Sequence, residues 1–200
     1  MIRPGDVVLD IGANFGLHTL LAAHIIGPAG RAFAFEPVPA NLRLLRRNVR
    51  LNGFHDRVSI IPSAVSNSTQ AQLPFSIPSG DLSVTAFLTT EGNGSSTRMV
   101  PNVRLDDYRN FRRPARLIKI DVEGAELGVL KGAEELISSD RPVILAEVHV
   151  YAFEKFGTSL DRWRQCVEGL GYSETALTPR NYGGSDCYHA LLTPEEEAIV

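Results

Sequence analysis

The sequence predicts an α/β fold with a mainly parallel central sheet, helices on both faces, and an irregular insertion between the third and fourth strands. Three observations carry this prediction. The chain opens on VVLDIGANFGLHTL, residues 7–20, an apolar strand followed by a carboxylate and a glycine turn that runs into an apolar helix, the opening unit of nucleotide-type folds. Strand-like and helix-like segments then alternate, as they do where parallel strands are joined by crossover helices. Between Ser66 and Pro114 helical periodicity gives way to Ser, Thr, Gly and Pro, at a place where a plain doubly wound fold would have a helix.

Each element follows from its local pattern. VVLD is the first strand, and Gly16 to Ile26 the first helix, with Leu17, Leu20 and Leu21 in its first turns. GRAFAFEP supplies a second strand ending at Glu36, and Pro39 to Asn52 a second helix with Leu42, Leu45 and Val49 on its apolar side. Pro39 suits a helix start, where its missing N–H is not needed, and Gly53 suits a stop. VSIIPSA gives a third strand, RLIKID a fourth ending at Asp121, and Ala125 to Ser138 a helix with Leu127, Leu130, Ala133 and Ile137 at helical spacing. PVILAEV makes the fifth strand, Leu160 to Leu170 a further helix, and CYHALL a late strand that closes the sheet edge. In the irregular region QLPFSI and MVPNVRL read as extended segments around a long loop. Loops of that length are usually functional or disordered, and Gly80 to Thr97 is a candidate substrate lid.

Composition bounds the function. With 200 residues and 44% hydrophobic content, the chain suits one domain, residues 1–200, with a substantial core. A net charge of −3 supplies no large basic field, so nucleic acid is not an expected partner. Cys166 and Cys187 form neither a disulfide framework nor a metal-ligand spacing. The start, MIRPGD, lacks the apolar run of a signal peptide, and no segment reaches the ~18 apolar residues of a membrane span, which makes cytoplasmic the expected location.

The glycine turn narrows the ligand. A dinucleotide site uses G-x-G-x-x-G so that backbone N–H groups approach a pyrophosphate. Here the order is Gly12, Ala13, Asn14, Phe15, Gly16, with Asn14 in place of the second glycine, which disfavours pyrophosphate. A ligand with a sulfonium and an amino acid moiety needs close backbone approach and a nearby carboxylate, and S-adenosylmethionine is that ligand. A substituted Gly12 would intrude on its space. Glu36 stands 20 residues after Gly16, where an acid bonds ribose hydroxyls. Asp10 has an alternative reading as an N-terminal cap of the first helix, and Glu36 as a solvated strand end.

The segments VVLDIGANFGLHTLLAA, FAFEPVPANLRLLRRNVRLNG, VRLDDY, LIKIDVEGAELGVLKGAEELI and RPVILAEVH, in this order from about Gly5 to His149, resemble the FkbM-type family of S-adenosylmethionine-dependent methyltransferases. The resemblance implies a class I methyltransferase (Rossmann-like) fold and O-methylation of a hydroxyl on a small molecule, sugar, lipid or polyketide-type metabolite. It places the cofactor loop on Asp10, Gly12, Ala13, Asn14 and Gly16 with Thr19 nearby, the ribose acid on Glu36 beside Pro37, adenine contacts on Ser63 and Ala64, and the methionine end at Asp121. Ser63 departs from the acidic residue many methyltransferases have there. Many relatives carry helices ahead of the first strand that cover the active site. Here the chain reaches its first strand by Val7, so either the start is trimmed or cover comes from the Ser66 to Pro114 region, the C-terminal segment or a second subunit, which leaves a homodimer open.

Methyl transfer to an alcohol needs alignment and removal of a proton. Asp121, Glu123, Glu126, Glu147 and His149 supply acids and a base near the strand ends, or ligands for a divalent cation; with no fixed ligand spacing, the metal-free route is preferred and no metal site is assigned. In AEVH, alternation places His149 on the same side as Glu147, and a histidine titrating near neutrality can take a hydroxyl proton. Arg43, Arg46, Arg47 and Arg50 share one helix face, read as solvated or as a docking surface for an acidic partner or anionic acceptor. Rival functions are an NAD-dependent oxidoreductase, opposed by Asn14 in the glycine turn, a methyltransferase acting on protein or nucleic acid, opposed for base amines by IDVEG where Asn-Pro-Pro-aromatic would stand, and a non-catalytic cofactor-binding module.

Overall fold

A computed structural model of the chain describes residues 2–77, 87–88, 97–108, 111, 113–181 and 184–195. Eleven strands and five α-helices follow one another as β1 (Val7–Ile11), α1 (Leu17–Ile26), β2 (Arg31–Phe35), α2 (Pro39–Leu51), β3 (Val58–Ile61), β4 (Ala64–Val65), β5 (Gln72–Ser76), β6 (Phe87–Leu88), β7 (Thr97–Val103), β8 (Ala115–Ile120), α3 (Glu126–Lys131), α4 (Glu134–Asp140), β9 (Val143–His149), α5 (Leu160–Gly169), β10 (Tyr172–Ala176) and β11 (Cys187–Pro194). Seven strands form the central sheet in the order β10-β11-β9-β8-β1-β2-β3. The pairs from β3 to β9 are parallel, whereas β11 runs antiparallel to both β9 and β10.

Alternation along the strands divides the core into two layers. Val8 and Ala32 pack under α1 with Ala22 and Ile26, and Ala34 packs with Ala13, Leu45 and Val49 of the turn and α2. Leu9, Ile11, Ile118 and Ile120 face the opposite layer, where Val129, Ile137 and Trp163 come from α3, α4 and α5. The central strand β1 is buried along its whole length, which explains why its sequence is an unbroken apolar run save for Asp10.

The irregular region builds a second, four-stranded sheet of order β4-β7-β5-β6. QLPFSI and MVPNVRL are its antiparallel pair, with Leu73 opposite Val100 and Phe75 opposite Arg98. Asn102 pins its base by accepting from the Ser66 hydroxyl and donating to the carbonyls of Ser68 and Gln70. Phe75 and Val100 then pack on Val38 and Ala64 at the start of α2. The expected lid, Gly80 to Thr97, lies outside the described residues except for β6 and Thr97.

Four boundaries differ from the sequence reading, each for a local reason. VSIIPSA does not continue as one strand, because Pro62 interrupts it and Ala64–Val65 joins the second sheet. The fourth strand stops at Ile120, leaving Asp121 just beyond its tip. The long helix expected over Ala125 to Ser138 is two helices broken at Gly132, where an added Cβ would lie 2.2 Å from the Ser66 carbonyl oxygen. CYHALL is an inner strand, and the edge belongs to β10, a short polar strand the periodicity did not reveal.

Trp163 anchors the C-terminal hairpin to this core. It is fully buried and its indole Nε1 donates to Glu174 Oε2 at 3.1 Å, while the Tyr188 hydroxyl donates to Glu174 Oε1 at 2.6 Å. Trp163→Ala should lower the unfolding free energy by about 3–5 kcal/mol in urea titrations, with hydrogen exchange rising first in β10 and β11.

Candidate cofactor cleft and acidic cluster

The C-terminal ends of β1, β2 and β8 converge because the three strands are adjacent and parallel, with Ile11 level with Phe35 and Ile120. In open parallel sheets ligands bind beyond such ends. The turn after β1 is held tightly against both neighbours. Gly12 and Ala13 donate their N–H groups to the Phe35 carbonyl at 3.0 Å each, and Asp121 N–H donates to the Ile11 carbonyl at 3.1 Å. Gly12 has φ +78°, and a Cβ there would lie 1.9 Å from the Asp121 carbonyl oxygen. The glycine is therefore required by backbone packing before any ligand arrives. Asn14 also has a left-handed φ of 51°, tolerated by Asn, and its N–H donates to Glu36 Oε2 at 2.8 Å.

Glu36 is 4% exposed, yet it lines an open cleft beyond the strand ends. Its second oxygen accepts from Val38 N–H at 2.8 Å. Burial raises the Glu36 pKa above the ordinary carboxylate range, opposed by these backbone hydrogen bonds. The second oxygen, Oε1, also accepts from Asn41 Nδ2 in a long contact of 3.4 Å, so Oε2 keeps a lone pair for a ribose hydroxyl and Oε1 takes one by releasing Asn41. Of the predicted cofactor residues, Gly12, Asn14, Glu36, Pro37, Ser63, Ala64 and Asp121 line this cleft, joined by Phe75 from the second sheet. The Ser63 hydroxyl is turned to the Ala64 carbonyl. Asp10, Ala13, Gly16 and Thr19 do not line it; they are buried behind the turn. Asp10 accepts from the Thr19 hydroxyl, and α1 begins at Gly16 with no side-chain cap, so Asp10 is not the helix cap.

Sequence reasoning missed Lys119. Its ammonium, in a nearly buried side chain, donates to the Gly12 carbonyl at 3.1 Å and to Asp121 Oδ2 at 3.2 Å, and lies 3.6 Å from Asp10 Oδ1. Burial alone would lower its pKa, but Asp10 and Asp121 outweigh that and raise it, so the lysine is charged. The signal was present: a lysine in a strand of a buried parallel sheet has no solvated face to occupy.

A cluster of carboxylates lies beside Asp121. His149 is 4% exposed at the end of β9. Its Nδ1 is 2.8 Å from Glu126 Oε1, which also accepts from Gly124 N–H at 2.9 Å. Its Nε2 lies 3.8 Å from both Glu123 Oε2 and Glu147 Oε1, so Glu147 and His149 share a side as alternation predicts. Burial would depress the His149 pKa, but Glu126, Glu123 and Asp121 reverse this and push it to about 9. The imidazole is thus cationic at neutral pH, a correction to the expectation that it titrates there. Burial raises the Glu123 pKa, and the Tyr151 hydroxyl donates to Glu123 Oε2 at 3.0 Å. Asp121 and Glu123 line the cofactor cleft, whereas Glu147 and His149 lie outside its lining. Asp121, Glu123 and His149 each bring one ligand-capable atom within 4.8 Å of the others.

The sheet order, the glycine turn and the acid at the end of β2 together define an S-adenosylmethionine-dependent methyltransferase of class I fold. The chain belongs to the FkbM methyltransferase family: the model of the methyltransferase FkbM domain matches residues 10–174. It is 31% identical over 175 residues to the 31-O-demethyl-FK506 methyltransferase FkbM of Streptomyces tacrolimicus, covering 74% of this chain and 67% of that one. It is 31% identical over 157 residues to the hexuronic acid methyltransferase AglP of Haloferax volcanii, covering 78% and 61%. The chain thus spans roughly two thirds of the length of these relatives. Among solved structures, the methyltransferase FkbM of Methylobacillus flagellatus matches with a TM-score of 0.63 at 18% identity, covering 95% of this chain and 44% of that one. An O-methyltransferase of Bacillus cereus solved with S-adenosylhomocysteine matches at 0.53 and 19% identity, covering 94% and 73%. S-adenosylmethionine is the methyl donor.

Two variants test the cleft. Glu36→Ala should weaken S-adenosylhomocysteine binding by roughly 1.5–3 kcal/mol in calorimetry, with folding retained, because the charged acceptor of two hydroxyl contacts is lost. Lys119→Met should cost about 3–5 kcal/mol of stability by leaving Asp10 buried without its counter-charge, and Asp10→Asn added to it should recover part of that loss in urea titrations.

Proposed function

We propose that this methyltransferase acts on a hydroxyl of a small-molecule, sugar, lipid or polyketide-type acceptor, as a single domain over residues 1–200. The observation that carries this reading is the pair Asp121 and Glu123 at the cofactor cleft, backed by the His149 imidazolium. An alcohol must give up its proton as its oxygen is methylated, and a carboxylate with a raised pKa beside the cofactor site is a suitable acceptor. The relatives support the class: one is named a 31-O-demethyl-FK506 methyltransferase and another a hexuronic acid methyltransferase. The cofactor, when bound, supplies a methyl group on a sulfonium. Glu36 and the Asn14 turn hold its ribose, Ser63, Ala64 and Phe75 border its adenine, and Asp121 faces its methionine end.

In this reading Glu123 takes the hydroxyl proton. Glu126 fixes the imidazole through Nδ1, and His149 keeps Glu123 and Glu147 from repelling one another. His149 is therefore a positioning residue, as a cation at neutral pH cannot accept the proton itself. Asp121, anchored by Lys119, completes the catalytic group with Glu147 behind it. The grouping of Asp121, Glu123 and His149 within 4.8 Å favours a second reading, in which a divalent cation held by them lowers the hydroxyl pKa. Chelation followed by Mg²⁺ or Mn²⁺ return decides between the two, since only the second loses and regains activity. Among the described residues no helix is long and apolar enough to cross a membrane.

With a hydroxylated acceptor found by methyl-label screening, Glu123→Gln should reduce turnover by ~10²-fold or more at saturating cofactor. The parent rate should be level near pH 7 and fall as the pH rises through about 9, where the positioning His149 cation is lost. A rate climbing through about 9 in the parent and losing that rise in His149→Ala would return the base role to His149, because only the neutral imidazole accepts a proton.

A further inference from the structure

Helices α1 and α2 lie side by side on one face of the sheet. The Asn48 side chain donates to the Phe15 carbonyl at 2.8 Å, and Leu20 of α1 packs on Leu45 and Val49 of α2. The outer surface of this pair is unusual in two respects. On α1, Leu17 is 62% exposed, Leu21 57% and Ile25 37%; spaced four residues apart, they form one continuous stripe along the helix. Phe15, 40% exposed, extends the stripe to the turn before the helix. The helix LHTLLAAHII carries no Asp, Glu, Lys or Arg at all, although a surface helix normally places such residues on its outer face.

On α2, Arg43, Arg46, Arg47 and Arg50 are all exposed. From Ile11 to His55 the chain has five arginines against a single acid, the buried Glu36, on a chain of net charge −3. An apolar stripe therefore lies beside a cationic one, with no carboxylate on either helix. An exposed apolar patch of this kind marks a contact surface.

We infer that the α1–α2 face docks on an anionic lipid surface, with Phe15, Leu17, Leu21 and Ile25 entering the headgroup–acyl boundary and the four arginines meeting lipid phosphates and carboxylates. The charge pattern selects this occupant. A second copy presenting the same face would offer no acid on either helix to pair with these arginines. A lipid surface supplies anions and an apolar layer at once, as basic amphipathic surfaces require. Phe15 directly follows Asn14, which lines the cofactor cleft, so docking sets the cleft rim near the lipid. The inference rests on the surface alone and not on the acceptor class proposed above.

The test is co-sedimentation of the full chain with vesicles of 70:30 phosphatidylcholine and phosphatidylserine, at low and at 0.5 M salt, beside pure phosphatidylcholine. Binding to the anionic vesicles that weakens with salt, and that falls roughly a hundredfold or more in R43E/R46E/R47E/R50E, supports the inference. Leu17→Asp with Leu21→Asp should also release the protein, and circular dichroism and S-adenosylhomocysteine binding confirm that each variant folds. Absence of vesicle binding, equal binding to pure phosphatidylcholine, or binding untouched by charge reversal overturns it. So does a lipid-free dimer in analytical ultracentrifugation that Leu17→Asp dissociates, which would assign the face to a second copy. A failed O-methylation screen leaves the inference standing, and absent vesicle binding leaves the proposed function standing.

Discussion

Lys119 sits where three chain segments meet, and an ammonium in that place is tolerable only because Asp10 and Asp121 flank it. The arrangement works in both directions. Among the described residues Lys119 is the cation that faces Asp10, and Asp121 projects from the tip of β8 with its carboxylate fixed by the same nitrogen. The third contact, to the Gly12 carbonyl, fastens the glycine turn to β8. One buried charge therefore sets the relative position of the turn and of the carboxylate facing the cofactor cleft. A shift of β8 by one residue would move the lysine to the other face of the sheet, leaving Asp10 buried without its counter-charge and Asp121 unanchored.

Much of this was legible in the sequence, and what escaped shows why. The five parallel strands and the helices between them are long apolar runs with clear periods, so VVLD, RAFAF, RLIKI and VILAEVH declared themselves. Glu36 and the glycine turn were legible because their spacing encodes a geometry. The roles of Gly12 and Asp10 were not, because they depend on which backbone atoms lie across from them: an Asp121 carbonyl for one, a lysine for the other. The break at Gly132 is set by Asp106, far away in sequence, whose N–H donates to the Gly132 carbonyl and whose carboxylate accepts from Leu136 N–H, and no local pattern reports it. Edge strand β10 was missed because YSETA is half polar, as an edge strand is.

The acidic cluster shows how composition misleads about charge state. A histidine among carboxylates reads as a switch near neutrality, and a single neighbouring acid would leave it close to that. Here Glu126, itself wholly buried, is hydrogen-bonded to one ring nitrogen while Glu123 and Glu147 face the other. The result is a fixed cation within an acidic group, whose proton balance is set by the geometry of four side chains drawn from β9, α3 and the turn before it.

The place of β11 in the sheet has a consequence for how the protein comes off the ribosome. This strand lies between β9 and β10, yet it is made after both. Until residues 187–194 emerge, β9 presents a bare row of backbone donors and acceptors on an apolar strand, and β10 has no partner in the sheet. An unpaired apolar strand of this kind is a template for association with other chains. The nascent protein therefore carries its sticky edge inside the eventual sheet, and the arrival of residues 187–194, not growth of the core, is the event that seals it.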